Sequence, residues 1–175
     1  MVMCRESEGN FIMMRSDGYI HESFKFGKDF TIGKFCVIED DVIVGDNVDI
    51  GHYVLLKKGT RIGNNTSIDS YVRSSGQNSI GNNCTIRYGA TIAKDVYIED
   101  YVFISPNVMT IYTDPFGNHD RSTFIGRGAF IGTSAVINSG ITIAKKTIIG
   151  AMSYVNMDCK KIGGTYVGQP AKLIG

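Results

Sequence analysis

The chain has 175 residues, enough for one domain with a real core, and its 18 Lys+Arg against 17 Asp+Glu leave a formal charge of +1. That balance argues against a nucleic-acid or anionic-membrane partner, both of which call for a marked basic excess. No stretch approaches the roughly 18 apolar residues of a membrane span.

Residues 1–19 read as a lead-in segment. Arg5, Glu6 and Glu8 already charge the start, and Phe11-Ile12-Met13-Met14 is too short for a signal-peptide core, so a cytoplasmic location is expected. The four cysteines (Cys4, Cys36, Cys84, Cys159) lie far apart without a C-x-x-C pair, as reduced thiols of a cytosolic protein do.

From Ile20 an aliphatic or aromatic residue returns at every sixth position: Phe26, Ile32, Ile38, Val44, Ile50, Leu56, Ile62 and Ile68. The beat is missed at Ser74, resumes from Ile80 to Ile104, and restarts from Ile125 to Val155. Two residues before most of these stands a small or β-branched residue, such as Val42, Val48, Thr60, Ala90 or Ala129. Gly or an acidic residue often follows, as at Gly33, Glu39, Gly63 and Gly132. This period fits neither an amphipathic helix nor an alternating strand. It predicts short strands with inward aliphatic side chains, each ending in a sharp turn relieved by Gly. Stacked turns then place like above like in a continuous column, which one turn alone cannot bury. Cys36 and Cys84 fall in the small column and are expected to be buried filler.

The repeat breaks twice. At Ser74-Ser75-Gly76-Gln77 the spacing predicts a local bulge or a surface role. Between Ile104 and Ile125 lie 21 positions, three repeats and three left over, so a loop at about 111–122 must leave the coil. It reads Ile111-Tyr112-Thr113-Asp114-Pro115-Phe116-Gly117-Asn118-His119-Asp120-Arg121-Ser122, which brings a His, two Asp, an Arg and two aromatics together, with Pro and Gly as turn residues. Breaks in a regular scaffold are where function sits. His119 held by Asp114 or Asp120 has the makings of a general base, the carboxylate fixing the imidazole tautomer.

The pattern [Leu/Ile/Val]-[Gly/Ala/Glu/Asp]-x-x-[small]-x over residues 20–175 resembles the hexapeptide-repeat acyltransferase family. The resemblance implies an all-β fold: a left-handed parallel β-helix with one protruding loop. The hand comes from the resemblance alone, since the usual crossover rule is right-handed. It also implies a homotrimer with sites in the clefts between neighbouring prisms. The closing segment Ile149-Gly150-Ala151-Met152-Ser153 followed by Val167-Gly168-Gln169-Pro170-Ala171-Lys172 is similar to the family's Ile-Gly-Ala-Gly-Ser and Val-Gly-x-Pro-Ala-Arg/Lys, with Met152 in place of Gly. By that resemblance acetyl-CoA is the co-substrate, met by Thr133, Ala151, Asn156 and Lys172. The loop's flanks resemble those of sugar-nucleotide N-acetyltransferases, whereas Asp114 stands where sugar O-acetyltransferases carry their catalytic His.

The expected activity is acetyl transfer from acetyl-CoA to the amine of a nucleotide-linked amino sugar, in surface-glycan (lipopolysaccharide) biosynthesis. Asp114, His119 and Asp120 are the catalytic candidates, and Arg87, Tyr88 and Asn107 the substrate candidates. An O-acetyltransferase on a sugar or small alcohol and a non-catalytic β-helix subunit are the alternatives. No metal is expected: His21, His52 and His119 are too widely spaced for the three-His zinc site of hexapeptide carbonic anhydrases.

Overall fold

The computed structural model describes residues 2–5, 11–14, 17–114, 116–119 and 121–174. Strands Val2–Arg5 and Phe11–Met14 form a separate antiparallel pair. From Tyr19–Ile20 onward the chain is a left-handed parallel β-helix, its two- to four-residue strands stacked into three sheets of nine, eight and six strands. Away from the loop and the last coil, each residue pairs with the one 18 further on, as Ile68 does with Ile50 and Ile86, so one coil is three hexads. The inward residues, from Ile38 through Ile149, are buried in one continuous core. The terminal hairpin, Thr165–Gly168 with Ala171–Leu173, closes the nine-strand sheet antiparallel.

Two sequence expectations change. The chain does not bulge at Ser74: strand Arg73–Ser74 stays in register with Leu55–Leu56 and Thr91–Ile92, and Ser74 points inward. A polar residue holds an aliphatic's place because its hydroxyl lies 2.6 Å from Thr60 Oγ1 and 2.9 Å from Asn78 Oδ1. The glycines after the inward residues also serve differently. At Gly132 a Cβ would stand 2.5 Å from the Ala151 nitrogen, so Gly there permits the coils to close on each other rather than a special φ.

The left-handed residues come three positions after the inward one, and most are not glycine: Phe35 (φ 60), Tyr53 (φ 55), Tyr71 (φ 63) and Asp95 (φ 54) among them. A left-handed non-glycine costs roughly 1–2 kcal/mol. Stacking recovers part of it where Phe35, Tyr53 and Tyr71 lie with ring centroids 5.0 and 4.9 Å apart. At another corner, side chains one coil on cap backbone N–H groups: Asp46 donates to Asn64, Asn64 to Asn82 and Asn82 to Asp100, each at 2.8 Å.

The loop begins after strand Met109–Thr110 and ends before Thr123–Ile125, as the spacing predicts. Thr110 is itself a buried inward beat and pairs with Ile137, so the leftover of three is an insertion of nine residues in one coil.

Candidate functional site

Four adjacent strands of the eight-strand sheet carry the site: Thr91–Ile92, Met109–Thr110, Val136–Ile137 and Tyr154–Val155. Their outward residues are Thr91, Met109, Val136 and Tyr154. Because each of these four strands is two residues long, the corners before and after it form two close margins of one face.

The leading margin stacks Tyr88, Pro106, Thr133 and Ala151 in successive coils, with Asn107 one position on from Pro106. The Asn107 N–H donates to the Tyr88 carbonyl at 2.9 Å and the Met152 N–H to the Thr133 carbonyl at 2.8 Å. Thr133 and Ala151 are exposed beside Gly132 and Gly150, leaving a line of small groups. Lys172 lies exposed on the terminal hairpin, which is tied to this margin where Gln169 Nε2 donates to the Met152 carbonyl at 2.6 Å. Asn156, exposed, falls on the opposite margin. Arg87 follows strand Thr85–Ile86 of the neighbouring sheet and pairs with Asp69 at 3.2 Å.

The trailing margin carries the loop. His119 turns back to the preceding coil: its Nε2 lies 3.1 Å from Asp95 Oδ2 and its Nδ1 2.8 Å from the Tyr112 carbonyl. Its ring stacks on Tyr112 at 4.1 Å, and Lys94 Nζ stands 5.4 Å from that ring's centroid. A neutral imidazole donates from one nitrogen only, so two facing acceptors are both satisfied by the doubly protonated ring. When Nε2 carries no proton, its lone pair faces a carboxylate and the contact loses its attraction.

Asp114 does not hold His119. Its Oδ1 accepts the N–H groups of Phe116 (2.9 Å) and Asn118 (2.8 Å), and its Oδ2 the Asn118 carboxamide at 3.1 Å. The Asn118 N–H, with the Asn118 side chain and the Phe116 and Gly117 N–H groups, holds its carboxyl below the ordinary carboxylate range against slight desolvation. All of these bonds stay within the loop. Asp120, the third catalytic candidate, lies outside the described residues. On the C-terminal side of the loop a polar hollow of about 200 Å³ is lined by Asp114, Asn118, Arg121, Asn138, Ser139 and Gly140. Arg121 is paired with Asp158 at 2.8 Å.

Asp95 was not among the sequence candidates. The signal for it is the coil length: one coil of 18 after Asp95 comes Thr113, so the corner bearing Asp95 lies directly beneath the start of the loop. His52 accepts the Lys34 N–H at 2.9 Å on another corner. Among the described residues no three His, Cys, Asp or Glu side chains converge as a metal site, and no helix is long and apolar enough to cross a membrane.

Residues 14–113, over half of the chain, match the family model of the GMPPB C-terminal domain. The chain belongs to the GMPPB C-terminal domain family. The matched part of this GMPPB C-terminal-like chain is the regular coils, and it ends as the loop begins. No curated protein sequence matches the chain. Solved structures share its fold. The GDP-perosamine N-acetyltransferase of Caulobacter crescentus, a mutant in complex with CoA and GDP-perosamine, is 24% identical with a TM-score of 0.62 over 70% of this chain and 53% of that one. The acetyltransferase domain of PglB from Neisseria gonorrhoeae, with acetyl coenzyme A, is 22% identical with a TM-score of 0.60 over 69% and 54%. A galactoside acetyltransferase in complex with coenzyme A is 31% identical with a TM-score of 0.60 over 67% and 64%. The chain thus spans about half the length of the first two. All three neighbours are acetyltransferases in complex with CoA or acetyl-CoA.

Proposed function

We propose that this protein is an acetyl-CoA-dependent N-acetyltransferase acting on the amino group of a nucleotide-linked amino sugar in surface-glycan biosynthesis. The observation that carries this reading is the His119–Asp95 pair on one margin of a face whose other margin bears Thr133 and Ala151, the residues of the closing motif. That small-residue margin suits an extended thioester arm, with Thr133 and Ala151 beside it and Lys172 towards its phosphates. Asn156 borders the same face on the other side, and Tyr88 and Asn107 offer contacts to the acceptor.

With Nδ1–H donated to the Tyr112 carbonyl, a neutral His119 has Nε2 free to take a proton. The amine nitrogen bonds the acyl carbon, the carbon–sulfur bond breaks and the thiol leaves. His119 takes the proton that the nitrogen sheds, and Asp95 stabilises the imidazolium so formed. The Asp95-bound ring is then the proton-loaded state, and loss of the proton releases Nε2 from the carboxylate.

The homotrimer and cytoplasmic location implied by the family resemblance belong to this proposal. Support for association is the outward apolar strip on the nine-strand sheet, where Phe103 and Phe130 stack at 5.4 Å beside Ile148. An O-acetyltransferase is the second reading, favoured by the 31% identity to the galactoside enzyme.

The test is CoA release, read with a thiol reagent, across acetyl-CoA and a panel of nucleotide-linked amino sugars and neutral sugars. Release with amino sugars alone is expected. Release with neutral sugars replaces this reading by the second, and silence across the panel favours a non-catalytic subunit.

A further inference from the structure

Thr60, Ser74, Asn78 and Thr110 are polar side chains inside the tube, none more than 3% exposed, at places where other coils put apolar ones. Buried polar groups cost stability unless partnered, and aliphatic residues serve these places in other coils, so filling the core does not call for them. They are connected, and the connection leads to one residue. Ser74 Oγ lies 2.9 Å from Asn78 Oδ1, and Asn78 Nδ2 donates to the carbonyls of Ile92 at 3.3 Å and Ala93 at 2.9 Å. Thr110 Oγ1 accepts the Ala93 N–H at 2.7 Å. Both polar groups of the Ala93 backbone are therefore held by side chains reaching from the core.

This departs from the rest of the solenoid. At Gly81, Gly126 and Gly132 the residue after the inward position donates its N–H to a backbone carbonyl one coil on, each at 2.8 Å. Beside the loop the ladder pairs Thr91 with Met109 and goes no further, and the Thr110 hydroxyl takes over as acceptor. The replacement occurs at one corner, and that corner bears Asp95 two residues after Ala93. The Asp95 backbone is tied in turn, its N–H to the Gln77 carbonyl and its carbonyl to the Thr123 N–H, both at 3.1 Å.

We infer that Asn78 and Thr110 are positioning residues of the site: from within the core they fix the 93–95 corner so that the Asp95 carboxylate meets His119 Nε2. They touch neither the imidazole nor the open face. The charged side chains that face the His119–Tyr112 pair, Asp95 and Lys94, both stand on the corner so held. The consequence for turnover rests on the proposed role of His119, but the His119–Asp95 contact can be read without any turnover.

The experiment is NMR of the histidine ring signals in the full chain, His119 being assigned by His119→Ala, with Asp95→Asn as the reference for a broken pair. Thr110→Val is expected to move the His119 signals and their pH titration towards those of Asp95→Asn, whereas Thr110→Ser leaves them in place. Thr66→Val is the control: Thr66 Oγ1 accepts the Cys84 N–H at 3.1 Å and donates to the Gly81 carbonyl at 2.9 Å on a different corner. It loses comparable bonds and is expected to leave His119 unmoved. If Thr110→Val does not fold, Ser74→Ala, which loses the contact orienting Asn78 along with those to Thr60 and the Gly76 N–H but none to the 93–95 corner, is expected to move the signals the same way by less. In parallel, acyl transfer by Thr110→Val is expected to fall on the order of ten- to a hundredfold with an altered pH profile, and Thr110→Ser to restore both. A folded Thr110→Val or Ser74→Ala with wild-type His119 signals overturns the inference, as does an equal shift in Thr66→Val. If no variant or wild type transfers an acyl group, the NMR arms still decide this inference and the proposed function alone falls.

Discussion

His119 Nε2 lies 3.1 Å from Asp95 Oδ2 across two coils, while its Nδ1 faces the Tyr112 carbonyl at 2.8 Å. The pair makes a prediction that separates an amine from a hydroxyl acceptor. A general base contributes typically about 10²–10⁴-fold, most where the nucleophile cannot lose its proton otherwise. With an amino-sugar acceptor, His119→Ala is expected to lose about a hundredfold near neutral pH. The deficit should shrink as rising pH frees the amine. Asp95→Asn is expected to lose about tenfold, since the imidazolium keeps its Tyr112 bond. Rates of CoA release from pH 6 to 9 check this. A loss in His119→Ala that stays constant with pH points to a hydroxyl acceptor.

The close approach of coils predicts a sharp contrast between two glycines. At Gly132 a Cβ would fall 2.5 Å from the backbone nitrogen of Ala151, and backbone cannot step aside. Gly132→Ala is expected to cost about 3 kcal/mol, the upper range for overpacking. Gly117, in the loop at φ +83 with no atom near its would-be Cβ, carries only the left-handed penalty of roughly 1–2 kcal/mol, confined to the loop. Denaturant melts measure both: the first midpoint should drop clearly, the second hardly at all.

The two glycines also show what the sequence makes legible. Ile131, Gly132 and Ala135 repeat a chemistry seen in coil after coil, because each coil must solve the same packing problem, so the tube and the limits of its loop follow from spacing. Asp95 was hidden for the opposite reason. Its partner is reached through a nine-residue insertion whose path no period governs, and nothing local marks which neighbouring carboxylate His119 will find. Asp114, nearer in sequence, is spent on its own loop's N–H groups. Ser74 misled because an inward polar residue reads as a break unless its buried partners Thr60 and Asn78 are already known.

The buried cysteines bear directly on the thiol assay. Desolvation raises the thiols of Cys36 and Cys84, and that of Cys159, also beside Asp158, up to about 11. The nucleophile is the thiolate, so these three are expected to be silent at pH 8 in the native protein. Alkylation followed by peptide mass spectrometry should find them unmodified until denaturant is added. Rapid labelling of any of the three in native protein contradicts the packing described.

Asp114 gives the loop a pH dependence of definite sign. Its folded-state value lies below that of an unfolded Asp, because the Asn118 N–H leads the donors that favour the carboxylate over its acid. Such a group contributes stability that is present above the unfolded value, about 4, and is lost as pH falls through the folded one. The loop should therefore hold its order through neutral pH and loosen below about pH 4, before the coils, whose inward aliphatics do not titrate. Hydrogen exchange at the Phe116 and Asn118 amides is the measurement, expected to accelerate in acid relative to the coil amides once the intrinsic pH dependence is removed. Asp114→Asn keeps one acceptor oxygen but no charge, so it should show faster exchange already at pH 7 and little further change in acid. Equal protection of the loop in Asp114→Asn and wild type at pH 7 would mean that the loop is held by other contacts. The His119 Nδ1 bond to the Tyr112 carbonyl is then the first to examine, since it ties the far end of the loop to its beginning.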